Sequence, residues 1–274
     1  MNYLQFEFQT SNMQEQEKWV ALLSEKGFEG FEEDENILNA FIPEHLFDDA
    51  EFLQVIDRFE NVRYIKTIVE NINWNKKWEE DFKPVLVDDF VAIRATFHHA
   101  IKGMQHEIII TPKMSFGTGH HATTYLMIQQ MHQLDFAGKT VLDFGTGTGV
   151  LAILASKMGA KNVMAIDYDE WSITNTTENV LQNECNNILV RKSDKVPSNE
   201  TYDIILANIN LNVIVSNIAV IVEASVKGAI IVLSGFLKEN EPDLVEAVTN
   251  AGLKYIKTDH RNDWIVMVAE NLSV

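Results

Sequence analysis

Cysteine is nearly missing from this chain: its 274 residues contain one, Cys185. No internal disulfide can form, which fits a reducing compartment. Long apolar runs are missing as well. No window approaches the roughly eighteen uninterrupted apolar residues that a membrane-spanning helix needs. The opening MNYLQFEFQT has neither a basic segment nor an apolar stretch, so no signal peptide is expected. The expectation is a soluble, cytoplasmic protein that works as a monomer. Basic residues are the third shortage: 22 Lys and Arg stand against 40 Asp and Glu, for a net charge of -18. Direct recognition of nucleic acid is not expected, because phosphate neutralisation needs a basic face. The deficit is uneven, with 15 acidic and 3 basic residues in 1–60 against 25 and 19 in 61–274. A field of this kind keeps a protein soluble and also favours encounter with a basic partner. What is plentiful is apolar material, 46% of the residues, enough for a sizeable core.

Hydropathy patterning divides the chain into a small α+β domain over 1–72, a connector with strands over 73–113, and a larger α/β domain over 114–274. In the first, YLQFEFQ alternates as a half-buried strand does. MQEQEKWVALLSEKG places Trp19, Leu22 and Leu23 on one helical face and closes at Gly27. GFEGF and NILNAFI read as strands separated by an acidic turn, EEDEN. EHLFDDAEFLQVIDRF returns to helical spacing, and NVRYIKTIVENI ends the series with a strand. The order β-α-β-β-α-β is that of a ferredoxin-like sandwich. NWNKKWEEDFKP, with Trp74 and Trp78, reads as the connector. VAIRATFH and HEIIITP are strand candidates, and from about residue 115 strands and helices alternate, as in a parallel sheet covered on both faces.

KTVLDFGTGTGVLAILASKMGAKNVMAIDYDE is the most informative stretch. A buried strand, TVLDF, runs straight into GTGTG, a helix follows, and a second strand ends at Asp167. Strand, glycine loop and helix in this order build a nucleotide site at the carboxyl edge of an open sheet. Gly145 and Gly147 let the backbone turn sharply and approach a ligand. Asp167 is placed to accept the hydroxyls of a ribose. A dinucleotide fingerprint requires its third glycine at position 150. Val150 stands there, with Gly149 one place early and the acidic Asp143 two places before Gly145. This weakens the reading as a nicotinamide-dependent oxidoreductase. The strand YDIILA ends in Asn208, Ile209 and Asn210, across the sheet's switch point from the glycine loop. In FGTGHHATT, the adjacent His120 and His121 diverge on most backbones, and a metal needs at least three convergent ligands. The Lys of a phosphate loop is absent too. That leaves a glycine-hinged loop leading into a helix, with Thr124 as its cap and as a candidate ligand contact.

The acid-x-G-x-G-x-G pattern resembles the first motif of class I methyltransferases. In combination, MSFGTGHHATT, VLDFGTGTGVLAI, AIDYDEWSI and ILANINLNVI resemble the bacterial methyltransferases of ribosomal protein L-eleven (PrmA type), over roughly residues 100–274. Members of that family usually show F-G-T-G-T-H-P-T-T, so His120 and Ala122 depart from the pattern. The resemblance implies a Rossmann-like domain with a seven-stranded, mostly parallel sheet, preceded by the ferredoxin-like domain. It implies S-adenosyl-L-methionine as cofactor, contacted by Thr124, Gly145, Asp167 and Asn208. Gly147 joins them through the loop, and Asp194 is a candidate for the adenine amine. Asn208 doubles as the catalytic candidate that orients the acceptor. The implied acceptors are amines of a basic, large-subunit ribosomal protein: lysine side chains, with the N-terminal amine as a further candidate. The acidic first domain is then expected to recognise that substrate. A class I methyltransferase acting on another protein or a small molecule is the alternative, and a non-catalytic cofactor-binding scaffold a more distant one.

Overall fold

The structure is a computed structural model that describes residues 2–34, 36–59, 62–69, 82–112, 119–197 and 199–272. Trp74 and Trp78 of the expected connector, and Met114 to Thr118 of the expected loop, lie outside the described residues. Contacts divide the chain into two compact units, Met1–Phe82 and Lys83–Val274. The strands over 85–110, assigned to the connector region from the sequence, fall in the second unit.

In the first unit an antiparallel sheet has the order β2-β3-β1-β4, from β1 (Tyr3–Gln9), β2 (Gly30–Asp34), β3 (Ile37–Pro43) and β4 (Tyr64–Val69). Alternation along β1 turns Leu4, Phe6 and Phe8 into the core. There they meet Trp19 and Leu23 of α1 (Met13–Ser24) and Phe52 and Val55 of α2 (Asp49–Ile56). Asn12 caps α1 by accepting from the Glu15 amide, and Asp48 caps α2 by accepting from the Ala50 and Glu51 amides. The expected acidic turn EEDEN is a correction: Glu32, Glu33 and Asp34 belong to β2, paired with Asn39, Leu38 and Ile37. An edge strand with a solvated face accommodates carboxylates that a central strand would not.

The second unit holds a seven-stranded sheet of order β10-β9-β8-β11-β12-β14-β13. Its parallel part comprises β8 (Thr140–Phe144), β9 (Asn162–Asp167), β10 (Ile188–Lys192), β11 (Tyr202–Asn208) and β12 (Ser225–Leu237). A hairpin of β13 (Leu253–Arg261) and β14 (Trp264–Asn271) adds the antiparallel edge. Its helices are α3 (Ala122–His132), α4 (Val150–Lys157), α5 (Glu170–Gln182), α6 (Leu211–Glu223) and α7 (Glu241–Asn250). None of the described helices is long and apolar enough to cross a membrane. Strands β8 and β11 are mostly apolar and buried over Val141–Phe144 and Ile204–Ala207, as a sheet covered on both faces requires, with Asp143 the buried exception.

A second, three-stranded sheet of β5 (Val85–Val87), β6 (Val91–Ala95) and β7 (His106–Ile110) packs beside this core. Helix α5 fastens it through two buried amides. Asn183 accepts from the Ile109 amide and donates to the Ile109 carbonyl, at 2.9 and 2.6 Å. One turn earlier, Asn179 accepts from the Thr111 amide at 2.8 Å and donates to the Thr148 carbonyl in the glycine loop, also at 2.8 Å. Two side chains thus tie an edge strand to the loop that follows β8.

Candidate functional site

The parallel strands all end at one rim, where a cavity of about 730 Å³ opens. Its floor is the turn after β8. Gly145, Gly147 and Gly149 all have positive φ, the last as the cap of α4. The Gly145 and Thr146 amides donate to the Ile166 carbonyl, fixing the turn against β9. Asp167, at the end of β9, is 7% exposed, and its carboxylate accepts from the Gly147 amide at 2.9 Å and the Asp169 amide at 3.0 Å. Two N–H donors leave a carboxylate with further lone pairs for a ligand.

Asp143 is used differently from Asp167. Its Oδ2 accepts from the Thr146 hydroxyl at 2.7 Å and the Ala152 amide at 3.2 Å, which holds the loop to the start of α4. Oδ1 is buried without a partner. Complete burial pushes the carboxyl up to about 7, the Thr146 and Ala152 bonds oppose this, and the Asp167 charge adds to it.

The opposite wall begins with Asn208 at the end of β11. Its Nδ2 lies 3.5 Å from the Thr124 Oγ1, and its Oδ1 is buried without a partner. Such an orphan acceptor costs free energy unless something donates to it. The next residue, Ile209, is pressed between two glycines. A Cβ on Gly145 would overlap its side chain, and one on Gly235, where φ is +105°, would overlap its backbone. Asn210 then caps α6 by accepting from the Val213 amide.

The expected site residues come together. Gly145, Gly147, Asp167, Asp194 and Asn208 all line the main cavity, and Thr124 lines a small adjoining recess with Gly145, Gly147 and Asn208. One local reading is corrected. The cap of α3 is His121, whose Nδ1 accepts from the Thr123 amide, and Thr124 lies inside the first turn, buried. The two histidines diverge. His120 Nε2 is 2.9 Å from the Lys83 carbonyl, whereas His121 stands edge-on to Trp264 with ring centroids 4.5 Å apart. Among the described residues no group of three or more His, Cys, Asp or Glu is placed to hold a metal.

Sequence reasoning missed Trp264, Gly235, Val213, Ser216 and Asn217, all of which line the cavity. The Asn262-Asp263 hairpin turn and the glycine late in β12 were the available signals. Only the register, with Leu237 opposite Trp264, shows that both reach the same rim.

A model of the family described as ribosomal protein L11 methyltransferase (PrmA) matches residues 7–271. The chain is 39% identical over 254 residues to the ribosomal protein L11 methyltransferase of Porphyromonas gingivalis, spanning 90% of this chain and 88% of that one. With the ribosomal protein L11 methyltransferase of Phocaeicola vulgatus it shares 36% identity over 273 residues, spanning 96% and 97%. Among solved structures, a ribosomal protein L11 methylase from Lactobacillus delbrueckii subsp. bulgaricus aligns with a TM-score of 0.65 at 25% identity, covering 70% of this chain and 100% of that one.

Proposed function

The chain belongs to the ribosomal protein L11 methyltransferase (PrmA) family, and from that premise we propose that the cavity binds S-adenosyl-L-methionine and that the protein methylates amines of ribosomal protein L11. The acceptors are lysine side chains, and the N-terminal amine where it reaches the site. The substrate is a basic protein of the large subunit, met in the cytoplasm by a monomeric enzyme that does not itself read nucleic acid. The acidic first unit is the part suited to that encounter.

The residues present fit the methyl donor. The observation that carries the reading is a pair of acceptors on residues lining one cavity: Asn208, whose Oδ1 is buried and unpartnered, and Asp167, whose carboxylate accepts two amides and keeps further lone pairs. Asp167 is suited to a vicinal diol, Asn208 Oδ1 to an ammonium, and the glycine floor to close approach of a chain without phosphates. Asp194, at the exposed end of the cavity, is suited to an exocyclic amine. Thr124 closes the recess behind Asn208. Bound here, S-adenosyl-L-methionine supplies a methyl group on a positively charged sulfur.

An acceptor must arrive as a neutral amine, because an ammonium has no lone pair. At a lysine pKa of about 10.4, neutralisation near pH 7.4 costs on the order of 4 kcal/mol. Among the described residues no lysine lines the cavity, and its one tyrosine, Tyr168, follows Asp167 at the end of β9. The chain instead desolvates the amine and orients it, with Asn208 and the backbone carbonyls beside it directing the lone pair. Calorimetric titration with S-adenosyl-L-methionine tests the reading together with labelled methyl transfer to unmodified L11. The wild-type chain takes up the nucleoside and labels L11; Asp167→Ala loses at least tenfold in nucleoside affinity. Equal uptake by the two proteins would sink it.

A further inference from the structure

The cavity is divided by charge, and the division follows strand order. On the β9 and β10 side its lining includes Asp167, Asp169 and Asp194. On the β11, β12 and β14 side no described carboxylate lines it. The wall there is built from Asn208, Ile209, Val213, Ser216, Asn217 and Trp264. From Ile204 to Val222 the sequence has no ionisable side chain at all, in a chain with 23% charged residues. Burial explains this for β11. It does not explain α6, where Asn212, Val215, Ser216 and Ala219 are exposed yet uncharged. Exposed faces of helices ordinarily carry charge, and α7 next to it does so with Asp243 and Glu246.

We propose that the first two turns of α6, through Ser216 and Asn217, form the acceptor wall of the cavity, and that its freedom from carboxylates selects the neutral form of the incoming amine. The inference rests on the methyltransferase reading and deepens it. A carboxylate within a few ångströms of a bound amine favours the ammonium and raises its pKa. In an acidic protein such a group would trap the substrate in its unreactive form. The hydroxyl of Ser216 donates to the Val213 carbonyl at 3.0 Å, and the Asn217 amide donates to the same carbonyl at 2.8 Å. The Asn217 amide also donates to the Ser216 hydroxyl oxygen at 3.3 Å, so the two side chains form a linked, uncharged pair at the cavity lining. The titratable groups on neighbouring elements include His121 at the start of α3, Tyr168 after β9, Lys227 in β12, Lys238 and Glu239 after it, Arg261 and Asp263 beside the β13–β14 turn, Glu270 in β14, and the three carboxylates of α7. Of these His121 and Tyr168 line the cavity. Ser216 and Asn217 are specificity-determining residues in this scheme.

The test places a charge on the wall. Ser216→Asp adds a carboxylate at an exposed position, Ser216→Asn is its neutral counterpart, and Asn217→Asp repeats the change at the adjacent site. With S-adenosyl-L-methionine saturating and unmodified L11 as substrate, the pH profile of kcat reports ionisations in the enzyme–substrate complex. For both Asp variants the rising limb moves up by about one pH unit, so that kcat falls about tenfold at pH 7.5 and recovers at high pH. Ser216→Asn keeps the parental midpoint. A second readout needs no turnover. Calorimetry of L11 binding to the S-adenosylhomocysteine-loaded protein, in buffers of different ionisation enthalpy, counts the protons released. The parent releases more than either Asp variant. The inference is overturned if the Asp variants keep the parental midpoint and proton count, or if Ser216→Asn shifts them equally. If the parent itself transfers no methyl group to L11, the functional reading fails instead.

Discussion

At the scale of single residues, the carboxyl of Asp143 couples the glycine loop to pH. Its ordinary value is near 3.9 in an unfolded chain, and burial pushes it up to about 7 in the folded protein. Between those values the folded state holds a proton that the unfolded state has lost. Asp143 therefore lowers stability as pH rises from about 4 to about 7, and the loss is complete above 7. Asp143→Asn removes this dependence, so its melting temperature gains on that of the parent across the same range and then runs parallel. A constant difference from pH 4 to 8 would contradict the assignment. Gly235 tests packing instead of charge. Its φ is +105°, and any Cβ would run into the Ile209 backbone. Gly235→Ala is expected to cost about 3 kcal/mol, read from the denaturant midpoint at unchanged m-value. Nucleoside affinity should fall with it, because Ile209 connects Asn208 to α6.

At the scale of elements, α5 does more than cover the sheet. Asn179 is fully buried, donates to Thr148 and Asn175, and accepts from Thr111. Asn179→Ala leaves those groups unsatisfied in the interior, at roughly 3 kcal/mol. Thermal melting and amide exchange at Thr111 would register it. The elements legible in the sequence were those whose signal is local. TVLDF-GTGTG-VLAIL carried its strand, turn and helix within one window, and Asp167 and Asn208 were found because each ends a strand. Readings that depended on a neighbour went astray. The residues of β2 read as a turn because nothing in them announces that β3 pairs with them. The start of α3 was placed too late, because the imidazole of His121 does the capping usually done by Ser, Thr, Asp or Asn. Trp264 and Gly235 reach the cavity only through a long-range register, which no window of sequence contains.

At the scale of the whole molecule, charge is arranged by unit. Glu32, Glu33 and Asp34 lie on an edge strand, exposed. Replacing all three by Lys is expected to weaken L11 binding about tenfold at low ionic strength and to leave S-adenosyl-L-methionine affinity unchanged. The difference should shrink towards 1 M salt, where the screening length drops from about 10 Å at 0.1 M to about 3 Å. Unchanged L11 affinity at low salt would remove the first unit from substrate recognition.

The tie between β7 and the glycine loop bears on how the protein can be shortened. A fragment begun at Met114, the start of MSFGTGHHATT, would retain Thr124, Gly145, Gly147, Asp167, Asp194 and Asn208. It would discard the strand to which Asn179 and Asn183 are moored. Such a minimal enzyme should melt several degrees lower and grip its nucleoside poorly, whereas one begun at Lys83 should do neither. The smallest competent piece is set by two asparagines at the far end of α5, beyond the residues any motif marks.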